Sequence, residues 1–88
     1  MQVHPIGSSE NSGANSGAAS TIGNAKLVLA YNTSSSEKLI TIEDGATGNA
    51  KASFTLAGKG RIKIQKAAAD EIFAESTNIE FVPLAYSN

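Results

Sequence analysis

"KASFTLAGKGRIKIQK", residues 51 to 66, is the stretch on which the fold turns. Ala52, Phe54 and Leu56 recur at every second position, and beyond the glycines Ile62 and Ile64 do the same against Arg61, Lys63 and Gln65. A period of two belongs to the β-strand, because successive side chains leave an extended backbone on opposite faces. Gly58-Lys59-Gly60 in between supplies the positive φ values that a tight reversal needs. The spacing therefore predicts a β-hairpin, apolar on one face and cationic on the other.

The same texture extends in both directions. "KLVLAYN" at 26 to 32 is continuously apolar, as in a strand covered on both faces. "NTSSSE" closes it with a polar loop. "KLITIED" at 38 to 44 alternates Leu39 and Thr41 against Ile40 and Ile42, and "EDGATGNA" reads as a Gly-rich turn or bulged loop. On the C-terminal side, the alanines and acids of "AAADEIFAES" favour one or two helical turns anchored by Ile72 and Phe73. "NIEFVPLAY" is a closing strand in which Ile79 and Phe81 share a face and Leu84 and Tyr86 continue the stripe. Pro83 has no amide to donate, which predicts an edge strand or a bulge. The sum is an all-β domain over residues 24–88, a small β-sandwich or barrel of five to six strands.

Residues 1–23 have a different composition. "GSSENSGANSGAASTIG" at 7 to 23 repeats the tetrad Asn-Ser-Gly-Ala and offers little apolar area against its ordering entropy, so it reads as an extended N-terminal arm. Its tip, Val3, Pro5 and Ile6, is a candidate partner-binding element.

Charge is partitioned along the chain. The net charge is −1, which argues against a general polyanion binder, yet Lys51, Lys59, Arg61, Lys63 and Lys66 form an acid-free run. Asp70, Glu71, Glu75 and Glu80 follow without a cation, an order that suits pairing between neighbouring strands or subunits. Lys59, Arg61, Lys63 and Lys66 are the candidate binding ribbon. Nucleic acid is not the expected partner for it, since the cationic face lacks the interleaved aromatics on which bases stack.

Catalysis finds no framework. The single histidine, His4, lies in the arm with nothing near it to orient it as a base. Glu43-Asp44 and Asp70-Glu71 are adjacent pairs that diverge on a strand, and they read as solvated turn acids. "GATGNAKAS" at 45 to 53 departs from a phosphate-binding loop at Ala50 and Ala52, the positions flanking Lys51. No enzyme, metal site or cofactor is expected. Cysteine is absent, so no disulfide reinforces so small a core, and association with other copies or with a larger assembly is the expected remedy. Neither a secretory signal nor a membrane span is expected, which makes the Asn32-Thr33-Ser34 sequon incidental.

In the order of these features the chain resembles the small virion structural proteins of marine tailed phages, cyanophage type. The likeness rests on Pro5 to Gly7, Ser12 to Ser20, Tyr31-Asn32, Ser53 to Gly60, Ile62 to Ile72 and Val82 to Asn88. What the resemblance implies is a capsid decoration or cement protein bound to the major capsid protein or other virion proteins. It further implies residence on the virion and in the host cytoplasm during assembly, with a homo-oligomer, a trimer by family expectation. Two alternatives stand beside it: a neck, tail or fibre component, and an Sm-like ring-forming barrel that binds RNA.

Overall fold

The computed structural model describes residues 2–7 and 9–87. It is an all-β sandwich of two antiparallel sheets. The strands are β1 (Gln2–Pro5), β2 (Glu10–Asn11), β3 (Leu27–Asn32), β4 (Lys38–Glu43), β5 (Ala50–Leu56), β6 (Arg61–Gln65), β7 (Glu71–Ala74) and β8 (Ile79–Ser87). The first sheet runs β1-β8-β3-β6, with the two-residue β2 also on β8; the second runs β5-β4-β7. Residues 24–88 thus supply six strands, and the N-terminal segment adds two more.

The core lies between the sheets. Val28, Ala30, Ile64, Ile79 and Phe81 come from one side and Ile40, Ile42, Leu56, Ile72 and Ala74 from the other, with Phe54 packed against them. In β4 the alternation falls as the pattern requires, with Ile40 and Ile42 buried and Leu39 facing solvent.

Three sequence expectations give way. First, β5 and β6 are not a hairpin: β5 pairs with β4, β6 pairs with β3, and residues 57–60 cross between sheets as an arch. Alternation cannot separate the two outcomes, because both turn Phe54, Leu56, Ile62 and Ile64 inward. The local chemistry decides. Buried Asn32 at the end of β3 donates from Nδ2 to the carbonyls of Ser36 (2.9 Å), Leu56 (3.0 Å) and Ala57 (3.2 Å), while its Oδ1 accepts from the Ser34 amide and hydroxyl. The Asn32 amide also donates to Gly60 O. These bonds hold the end of β5 to the opposite sheet. Positive φ falls on Lys59 (61°), not on its flanking glycines. Gly58 is needed for clearance instead, since a Cβ there would lie 2.4 Å from Ser35 O. The hairpin of this molecule is one element earlier, β4–β5, where Asp44 Oδ1 accepts from the Ala46 amide and Gly48 takes φ 74°.

Second, the alanine-rich segment forms a turn and then β7 rather than helical turns. Ile72 and Ala74 are fully buried between the sheets, and this pairing outweighs the weak helical preference of so short a run.

Third, Pro83 lies in β8, which has partners on both sides. Pro83 O accepts from the Ile6 amide at 3.0 Å, so the edge of Pro83 that lacks a donor faces the gap where the chain leaves β1 before re-entering at β2. No bond of the β3–β8 ladder is lost. Gly7 passes close over the ring, where a Cβ would stand 3.0 Å from Pro83 Cγ.

The N-terminal segment lies along the body. Ser12 donates its amide to Ile79 O (2.7 Å) and accepts the Ala74 amide on Oγ (2.8 Å), which links β8 to β7 across the two sheets. Ser20 and Ile72 exchange both backbone bonds. Ile22, 1% exposed, then enters the core from a turn in which Ile22, Gly23 and Asn24 all have positive φ. A β-branched residue resists that backbone conformation, and burial of its side chain offsets the strain.

Candidate binding surface

The two lateral sides of the sandwich are finished differently. On one side, β7 and β8 are sealed by residues 10–22. On the other, β5 and β6 are edge strands with no further partner among the described residues. The bonds from the Asn32 amide to Gly60 O and from the Lys66 amide to Lys26 O fix the hydrogen-bonded pairs of β3 and β6. By alternation, the backbone amides of Arg61, Lys63 and Gln65 point away from β3 into solvent. The bond from the Glu75 amide to Leu39 O sets the same parity for β4, which leaves the Ser53 and Thr55 amides on the free edge of β5. Ile62 belongs to the interior face but is 40% exposed at this opening.

The structure redistributes the predicted ribbon. Lys59, Arg61 and Lys63 lie on the open side with exposed side chains. Arg61 stacks 5.0 Å from the centroid of the Tyr31 ring, its cross-strand neighbour, and Lys59 Nζ donates to Thr33 O. Lys66 does not join them. It follows β6 with inward parity and is buried, with Nζ donating to the carbonyls of Ala67 (3.3 Å) and Ala68 (3.4 Å). Burial lowers the Lys66 ammonium below its ordinary value, and the nearby Asp70 carboxylate opposes that shift.

Asp70, read from sequence as a solvated turn acid, is buried as well. A bulge sets Ala50 opposite Glu43 and Ala52 opposite Ile42, leaving Lys51 as the extra residue. The Lys51 ammonium reaches Asp70 at 3.0 and 3.2 Å, and this hydrogen bond lowers the Asp70 carboxyl below its ordinary value against the opposing effect of burial. Glu43 is likewise buried. Lys51, Lys66 and Asp70 therefore form a charge cluster beneath the sandwich, with Lys66 and Asp70 buried and the Lys51 side chain 49% exposed.

The arm tip divides. Pro5 ends β1 and is exposed; Ile6 is 55% exposed at the rim of a shallow groove of about 690 Å³ floored by Leu27 and Leu84. Val3 contributes backbone to β1, opposite Tyr86, and its side chain lies outside the described residues, as does that of His4. Among the described residues no three His, Cys, Asp or Glu side chains gather as a metal-ligand set, and no helix is long and apolar enough to cross a membrane.

Comparison with known proteins returned no match: no family model, no curated protein and no solved structure aligns with this chain.

Four of the eight acids lie across the sandwich from the exposed cations, while Glu37 adjoins the arch, next to Lys38 opposite Leu56. Glu71 and Glu75 lie in and beside β7, Glu10 in β2 and Glu80 in β8, all on the sealed side. The acidic run 70–80 is legible in the sequence, whereas Glu10 joins this side only through the pairing of β2 with β8, where it stands opposite Phe81 and Asn11 stands opposite Glu80. No Lys or Arg occurs before Lys26 or after Lys66, and no Asp or Glu lies between Asp44 and Asp70. The fold converts that linear partition into two lateral edges that differ in sign, Arg61 and Lys63 on β6 at one and Glu10 and Glu75 by β2 and β7 at the other.

Proposed function

We propose that the chain is a non-catalytic structural subunit of a virion, a decoration or cement protein that binds the major capsid protein shell and stabilises it. The observation that carries this reading is the unfinished side of the sandwich. A body with one side sealed by its own N-terminal segment, and two edge strands left open on the other, is suited to lateral contact with protein. The assembly in question is chosen on the resemblance of the order of sequence features to that of small virion proteins. Pro5 and Ile6, exposed beside the groove over Leu27 and Leu84, supply an apolar pad for the shell. Repetition of weak contacts over many copies converts modest affinity into firm attachment.

No observation favours an RNA-binding ring. The strip available to phosphates has contracted to Lys59, Arg61 and Lys63, with Lys66 buried and Lys51 held by Asp70.

The test is the protein composition of purified virions from the system that produces the chain. The reading expects this chain in fixed proportion to the major shell protein, with its density on the shell exterior. Its absence from particles would overturn the reading, and density confined to the neck or tail would replace the decoration role.

A further inference from the structure

We infer that this chain associates head to tail with copies of itself, the cationic open side of one subunit meeting the acidic sealed side of the next. The partner is thus a second copy of the chain, and the inference stands whether or not a virion shell is the final destination.

Three observations carry it. The first is charge complementarity. Arg61 and Lys63 project from edge strand β6 with no acid in β5, the arch or β6, whereas Glu10 and Glu75 are exposed on the opposite side with no cation in the segments that build it. The second is that these charges do not pair within one subunit; the nearer Glu80, two strand spacings from Arg61 across Tyr31, makes no ion pair with it among the described residues either. β6 and β2 are three strand spacings apart in the same sheet, about 14 Å at the usual inter-strand distance, and physiological salt screens exposed charges beyond about 8 Å. Lys51–Asp70, the ion pair seen among the described residues, belongs to the cluster beneath the sandwich.

The third observation selects the geometry. β6 offers a free ladder, and two copies could pair it edge to edge about a two-fold axis. That arrangement sets the Arg61 and Lys63 side chains of one copy close to those of the other, and like charges directly opposed on paired strands repel. The acidic side presents the opposite sign instead. The contact is then heterologous, using two different patches on each subunit, so it closes into a ring if the rotation permits and otherwise extends as a filament. Ile62, on the inward face of the same edge strand and 40% exposed at the opening of the sandwich, supplies apolar area beside the cations.

Paired charge reversals test this directly. Arg61→Glu/Lys63→Glu makes both sides acidic, and Glu10→Lys/Glu75→Lys makes both sides basic. All four side chains are exposed, and circular dichroism confirms retention of the β fold. Mass is measured by light scattering across protein concentration at low and high salt. The wild type should grow in mass with concentration at low salt and dissociate at high salt. Each double variant alone should remain monomeric, and an equimolar mixture should assemble again, with the two variants alternating. A monomeric wild type at low salt would overturn the inference. So would double variants that assemble as the wild type does, or a mixture of folded variants that stays monomeric.

Discussion

The sealed and open sides of this sandwich begin from similar raw material and end differently. Both are flanked by an edge strand of the second sheet, β7 on one side and β5 on the other, and both strands carry alternating apolar residues. β7 receives a cover: Ser20 satisfies Ile72, Ser12 and Gly13 satisfy Ala74, and Ile22 fills the space behind them. β5 and β6 receive none. The difference shows that a segment of Ser, Gly, Asn and Ala contributes little as hydrophobic mass but a good deal as a source of backbone and hydroxyl partners. One isoleucine then anchors the whole strap to the core.

The comparison can be broken most severely at that anchor. Ile22→Ala removes a fully buried side chain and should cost about 3 kcal/mol, measured by urea unfolding. A loss below about 1 kcal/mol would mean that the segment is only loosely attached. Asn32→Ala, at the end of β3 where the arch crosses between sheets, strips the partners from the Leu56 and Ala57 carbonyls and should cost about 2 kcal/mol. If that variant unfolded like the wild type, the arch would be held by something other than the asparagine.

A smaller effect concerns the charge cluster beneath the two sides. The Asp70 carboxyl is lowered from its ordinary value of 3.8 by the hydrogen bond from Lys51, so its contribution to stability is present above that value and lost as pH falls through the folded one. The melting-temperature advantage of the wild type over Asp70→Asn should therefore be full near neutral pH and close in acid. An advantage independent of pH would show that the ion pair is not its source. Smallest of all is Ile62→Ala at the opening, expected to cost under about 1 kcal/mol in the dilute monomer because its side chain is already 40% exposed. The same substitution should weaken self-association visibly, which separates a contact residue from a core residue.

Much of this architecture was legible in the chain. The period-two runs around Ile40, Phe54, Ile64 and Phe81 announced strands and the all-β class, whereas the charge partition suggested pairing between neighbouring strands or subunits, and β6 and β7 fall in different sheets. What escaped was pairing. Alternation says which way Leu56 and Ile62 point but not whether their strands lie in one sheet or two, and that choice rests on Asn32, twenty-four residues before Leu56 in the chain. Burial of Lys66 and Asp70 escaped for a related reason: both lie where a crossing loop folds under the sandwich, a tertiary fact with no local signature. Pro83 read correctly as a missing donor, but its location required knowing that the neighbouring strand breaks opposite it.

The central claim, a sandwich sealed on one side and open on the other, is tested most directly by residue-resolved amide hydrogen exchange on the dilute protein at high salt, where copies are apart. The account predicts slow exchange for Ile72 and Ala74, whose amides bond to Ser20, Ser12 and Gly13, and fast exchange for Arg61, Lys63 and Gln65 on the free edge of β6. Equal protection of the two sets would contradict it.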